Sequence, residues 1–76
     1  MSVAQEAVGG IGRGGSDTAE RIVTAALGAF AARGVEATSL DSVAAAIGIR
    51  KQTILYWFPS KEALLFAVID RAVADL

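Results

Sequence analysis

Residues 48–65 read GIRKQTILYWFPSKEALL, and this stretch fixes the local architecture of the chain. Gly48 ends one apolar helical segment, and a short basic and aromatic segment follows it. That segment ends by Phe58, because Pro59 disfavours helical geometry in the residue before it. Ser60 then provides an N-cap for a further helix. The stretch therefore predicts a glycine turn, a helix of about two turns and the start of another helix.

Apolar side chains recur three and four residues apart on both sides of this stretch, as they do on the buried face of a helix. The periodicity predicts four helices, over about 17–33, 39–47, 50–58 and from 61 to the end of the chain. Ser16 or Asp17 would cap the first helix and Gly34 would end it. Thr38 and Asp41 resemble a capping box at the second helix. We therefore predict an all-α fold, a three-helix bundle with a helix-turn-helix and the start of a fourth helix.

The chain divides into three parts by composition. Residues 1–16 hold five of its eight glycines and are predicted to form a flexible arm, with Arg13 as a candidate minor-groove contact. Residues 17–60 form the predicted helix-turn-helix domain. Residues 61–76 form a predicted linker helix, and because it shows no C-terminal stop signal we expect it to lead into a further domain that lies outside this sequence.

Composition argues against an enzyme or a metal protein. The 76 residues include no cysteine and no histidine, and the eight carboxylates are scattered along the chain. The mean hydropathy is +0.52, but the apolar runs are too short to span a membrane and no signal peptide is recognisable, so we expect a cytoplasmic protein without a membrane partner. No catalytic residue, metal or cofactor is predicted.

Charge is distributed unevenly. The net charge is −1, yet residues 50–61 carry three cations and no acid. In this segment Ile54 and Phe58 fall on one side of a helical wheel, as core contacts would. The opposite side and its neighbours have groups that can pair with base edges in the major groove. The candidate base-reading residues are Arg50, Lys51, Gln52, Leu55 and Tyr56, and the candidate phosphate contacts are Thr38, Thr53, Trp57 and Lys61.

The chain from Thr18 to Ile69 resembles the DNA-binding domain of the TetR (tetracycline repressor) family of bacterial transcription regulators. The resemblance lies in ERIV, FAARG, ATSL, VA, GI and KQTILYWFPSKEALL, in that order along the chain. It implies base contacts from Lys51, Gln52 and Tyr56. It also implies phosphate contacts from Thr38, Thr53, Trp57 and Lys61. The family pattern differs at four positions, where it commonly has Ser, Gly, Tyr and His instead of Arg50, Gln52, Leu55 and Trp57.

The resemblance further implies a three-helix head that joins a larger helical domain through the fourth helix. That second domain would dimerise and bind a small ligand, and the protein would repress transcription from a palindromic operator in double-stranded DNA. An alternative from another class is a protein-interaction module that docks a partner through the fourth helix. The alternative predicts that changes in the third helix are harmless, whereas changes at Leu65 or Ile69 abolish function.

Overall fold

The computed structural model describes the backbone of residues 2–76 and the side chains of residues 17–76. Four helices make up this part of the chain: α1 (Ser2–Arg33), α2 (Leu40–Ala46), α3 (Lys51–Trp57) and α4 (Lys61–Ala74). The described residues include no strand. The predicted all-α fold with a helix-turn-helix is confirmed. None of the helices in this part combines the length and hydropathy that crossing a membrane requires.

α1 begins at Ser2 and so does not start near Asp17, where the sequence placed its N-cap. Glycine inside a helix costs about 1 kcal/mol without forbidding it, and no proline interrupts this segment. The predicted flexible arm and the minor-groove role of Arg13 fall outside the described side chains and stay predictions. At its other end α1 stops at Arg33, as predicted, because Gly34 adopts the left-handed φ of +89°.

A second left-handed glycine makes the turn between α2 and α3. Gly48 has a φ of +71°, a value that L side chains adopt only with strain. Its N–H donates to the carbonyl of Ala45 at 3.3 Å, and the N–H of Ile49 donates to that of Ala44 at 3.0 Å. These bonds satisfy carbonyls that the end of α2 leaves free. The turn that the sequence predicted therefore joins the two short helices.

Serine side chains cap α2 and α4. Ser39 Oγ accepts a hydrogen bond from the N–H of Ser42 at 3.0 Å, so the predicted capping box of Thr38 and Asp41 is wrong by one residue. Thr38 cannot serve as the cap because its side chain points into the core, where it is only 1% exposed. Ser60 caps α4 as expected, since its Oγ accepts from the N–H of Ala63 at 3.0 Å.

The core lies where α1 crosses the other three helices, each of which contacts it. Apolar side chains from all four helices are buried there: Ile22, Val23, Ala26, Phe30, Val43, Ala44, Ile54, Leu64 and Val68. Ile54 is the buried residue of α3, whereas Phe58 is half-buried and packs at the edge of this cluster. One face of α3 is therefore fixed against the bundle, and this leaves its opposite face to solvent.

Candidate DNA-binding surface

The exposed face of α3 presents three of the predicted base-reading side chains. Lys51, Gln52 and Tyr56 are exposed, and 80% of the surface of Tyr56 is accessible. Ile54, between them in sequence, is fully buried and holds the helix to the core. A cation, an amide and a phenol thus lie together on a helix whose back is anchored. This combination suits contact with base edges in a major groove.

The other residues of α3 lie at the border between this face and the core. Thr53, Leu55 and Trp57 are half-buried, so Leu55 is less accessible than its predicted base contact suggests. The rings of Tyr56 and Trp57 meet edge to face, with centroids 5.1 Å apart and an angle of 88° between their planes. This contact limits the freedom of Tyr56, because an edge-to-face pair favours one relative orientation of the two rings.

Arg50 occupies the N-cap position of α3. Its backbone is extended, with φ −92° and ψ 153°, and its side chain makes no capping hydrogen bond. Serine at such a position would contribute about 1 kcal/mol to the helix. The residue is exposed and directly precedes Lys51 in the sequence.

The two lysines of the chain have different surroundings. Lys51 is exposed, and its Nζ lies 4.0 Å from Oδ2 of Asp41 in the first turn of α2. Lys61 is half-buried, and its Nζ donates to the carbonyl of Val35 at 2.8 Å and to that of Thr38 at 2.9 Å. Lys61 therefore ties the start of α4 to the α1–α2 loop, and one of its three N–H donors remains for another partner.

Thr38 is the predicted phosphate contact that the structure places in the core. Its hydroxyl lies 2.8 Å from the carbonyl of Gly34 and 3.3 Å from that of Ala29. The hydroxyl proton is therefore directed toward the end of α1 and away from solvent. A phosphate contact from this side chain does not fit the arrangement, because a threonine hydroxyl has only one proton to donate.

Two arginines that the sequence analysis did not single out hold the helices together. Arg21 Nη2 of α1 donates to the carbonyl of Ile47, at the end of α2, at 3.0 Å. Arg71 Nη1 of α4 donates to Thr24 Oγ1 at 2.9 Å and lies 4.0 Å from Glu20. The partners are 26 to 51 residues apart in the sequence, so no local pattern signals these contacts.

α4 exposes a stripe of large apolar side chains. Phe66, Ile69, Val73 and Leu76 are the large exposed apolar side chains of this helix and its end, and Phe66 is 68% exposed. Their spacing of three, four and three residues places them on one stripe.

No group of three or more acidic side chains that could hold a metal ion occurs among the described residues.

Comparisons with known proteins agree with this geometry. The family described as "Bacterial regulatory proteins, tetR family" matches residues 22–68. The HTH-type transcriptional regulator RutR is 44% identical over 55 residues in Escherichia coli (strain K12), in Escherichia coli O157:H7 and in Shigella flexneri. The alignment covers 72% of this chain and 26% of each relative, so the chain spans about a quarter of their length. No solved structure matches it significantly.

The family match includes α2, the glycine turn and α3, together with α1 from Ile22 onward and α4 as far as Val68. Members of this family are DNA-binding regulators rather than enzymes, which confirms the prediction that the chain is not an enzyme. The segment matched is more than half of the chain, and its helices are arranged as a helix-turn-helix. The chain belongs to the tetR family of bacterial regulatory proteins and carries the DNA-binding domain of that family.

Proposed function

We propose that the chain is the operator-binding head of a transcriptional repressor that reads its site through α3. The observation that carries this proposal is the division of α3 into a fully buried Ile54 and an exposed Lys51, Gln52 and Tyr56. A helix anchored on one side and furnished with donors on the other can enter a major groove as a rigid unit.

The exposed residues of α3 would recognise bases by different contacts. Lys51 can donate to O6 and N7 of guanine, and Gln52 can pair with the N6 and N7 edge of adenine. Tyr56 can place ring carbons against a thymine methyl group. Arg50, at the exposed end of the helix, can reach a guanine or a phosphate, and the half-buried Leu55 can make only a marginal apolar contact.

The reading face is the exposed face of α3, and phosphate contacts would surround it. The hydroxyl of Thr53, the indole N–H of Trp57 and the third N–H of Lys61 are suitable donors. Because the side chain of Thr38 is buried, we assign it a structural role beneath this surface and not a contact. The two carbonyls that accept from Lys61 are uncharged and do not form an ion pair with it, so the ammonium would still attract a nearby phosphate.

Binding strength would come from two heads acting together. Three cations flank or lie on the reading face, namely Arg50, Lys51 and Lys61, and this is few for a tight complex. A homodimer that places two heads on the halves of a palindromic site would gain affinity by tethering. We further propose that the full protein is cytoplasmic in a bacterium, and that a small-molecule ligand of its other domain releases the DNA.

Selection of bound sequences from random duplex DNA tests this function directly. The chain should enrich one motif. Its affinity should fall with salt at a slope of log K against log [KCl] near −2.7, from about −0.9 for each of three cations. Lys51→Ala and Gln52→Ala should relax the preference at one base pair each. Lys61→Ala should weaken binding to all sequences alike. Absence of an enriched motif together with a flat salt dependence contradicts the proposal.

The apolar stripe of α4 favours a second candidate function, that of a docking module for a partner helix. The two candidates make opposite predictions for the same variants. In a docking module, Ile69→Ala abolishes partner binding and Lys51→Ala is harmless. In the operator-binding head, Ile69→Ala leaves the enriched DNA motif unchanged, because this side chain lies on α4 and outside the reading face.

A further inference from the structure

Asp41 places a carboxylate beside the reading face. The residue lies in the first turn of α2, its side chain is 74% exposed, and Oδ2 is 4.0 Å from Nζ of Lys51, the first residue of α3. The pair thus bridges the two helices of the helix-turn-helix on its solvent side. An exposed acid at a surface that approaches DNA is unfavourable, because it repels the phosphate backbone.

Folding gives only a small reason for an acid at this position. An ion pair at this distance between two exposed side chains adds little to stability, since water screens both charges. An acid favours the start of α2, but an uncharged asparagine or serine is also accommodated near a helix N-terminus. The consequence of the pair is instead the position of the Lys51 ammonium, which Asp41 draws toward α2.

We propose that Asp41 is a specificity-determining residue that acts through Lys51. The inference rests on the proposed function of α3. Non-specific binding to DNA is almost entirely electrostatic, so it is weakened by the Asp41 carboxylate, which competes with phosphate for the Lys51 ammonium. In the matched complex the acceptors O6 and N7 of a guanine replace the carboxylate as partners of the ammonium. Asp41 therefore keeps Lys51 from an indiscriminate phosphate contact and leaves it poised for a base.

The test compares two duplexes of equal length, one with the selected motif and one with the same bases scrambled. Fluorescence anisotropy over a range of KCl concentrations gives the affinity of the full chain for each. Asp41→Asn should tighten binding to the scrambled duplex three- to tenfold and to the selected duplex less than twofold. The ratio of the two affinities should therefore fall by a factor between about 1.5 and ten, whereas Asp41→Glu should leave it unchanged.

Two controls separate this role from a general effect of charge. Asp75→Asn removes one negative charge at the exposed end of α4 and should leave the ratio unchanged. In a Lys51→Met background Asp41→Asn should no longer change the ratio, because the lysine through which Asp41 acts is gone. Asp41→Ser repeats the test with a second residue suited to a helix start, and circular dichroism verifies that each variant is folded.

Three results would overturn the inference. Equal tightening on both duplexes would make Asp41 a general repulsive charge. Unchanged affinity for both duplexes would mean that Asp41 does not position Lys51. A change in the ratio that persists without Lys51 would assign the effect to Asp41 itself. If the unsubstituted chain binds neither duplex in a salt-dependent way, the proposed function of α3 fails first, and that outcome is distinct from the other three.

Discussion

Lys61→Met isolates the contribution of one ammonium group to the fold. Methionine keeps the unbranched stem, so the substitution removes the donors of the hydrogen bonds to Val35 and Thr38 with little change in packing. A hydrogen bond from a charged donor contributes about 1.5–3 kcal/mol. Because Lys61 is half-buried, water can reach part of the site and form hydrogen bonds to the carbonyls, which offsets some of this loss. We expect the free energy of unfolding to fall by about 2 kcal/mol in total.

The single tryptophan makes the measurement direct. Trp57 lies at the end of α3 and packs against the core, so its fluorescence reports urea unfolding. A loss of about 2 kcal/mol should lower the melting temperature by about 8–16 °C in a domain of this size. Lys51→Met is the matched control, since it removes the other lysine, whose only described partner is Asp41 at 4.0 Å. It should change stability by less than about 0.5 kcal/mol.

The comparison refutes the structural role of Lys61 if the two variants unfold at the same urea concentration. Lys61→Arg gives a further check, because a guanidinium keeps the charge but is planar and cannot reproduce the geometry of an ammonium between two carbonyls. It should recover only part of the lost stability. Complete recovery would show that charge alone suffices at this position.

Gly28→Ala should stabilise the protein by about 1 kcal/mol, because Gly28 is exposed in α1 and a Cβ there would meet nothing within 4 Å. Gly48→Ala should instead lower the free energy of unfolding by about 1–2 kcal/mol, since the φ of Gly48 is +71°, although the space around it is equally open. The argument is refuted if urea unfolding shows that both variants change stability in the same direction. Thr38→Val should lower the free energy of unfolding by about 1–3 kcal/mol, because it removes the hydroxyl donor of the part-buried carbonyl of Gly34. An unchanged urea midpoint would contradict this. Arg21→Met should loosen the end of α2 and speed hydrogen exchange at the turn, because it frees the carbonyl of Ile47; exchange rates equal to those of the unsubstituted chain would remove this role.

The helices were predictable because local signals determine them. Apolar periodicity located all four, and Gly34 and Gly48 marked two ends where the chain takes a left-handed φ. Ser60 gave the start of α4 through its own side chain. The start of α1 was not predictable in this way, because a residue that can cap a helix does not have to stand at the start of one. The cap of α2 was misassigned because Thr38 and Ser39 both have hydroxyls, and only the packing of α1 against α2 decides between them.

The exposure of the reading face followed from the same periodicity. Once Ile54 was assigned to the core, the helical repeat turned Lys51, Gln52 and Tyr56 to solvent, as the structure has them. The half-burial of Leu55 was beyond this reasoning, because a wheel gives the direction of a side chain but not how far the neighbouring helices extend over it. The DNA contacts themselves stay predictions.

The contacts of long polar side chains are the feature that position in the sequence determines least. Resemblance alone assigns Lys51 and Lys61 to the same surface and to DNA. In the folded chain one ammonium is drawn to a carboxylate and the other to two carbonyls. These three partners lie 10 to 26 positions away in the sequence and are brought near by the packing of the four helices. Since a flexible side chain takes the partner that tertiary structure offers, the free energy available for DNA depends on what each lysine must give up. Lys51 gives up one weak ion pair when it binds DNA. Lys61 keeps its two hydrogen bonds to carbonyls and can only add a third, to a phosphate. This difference makes Lys51 the better candidate for sequence discrimination.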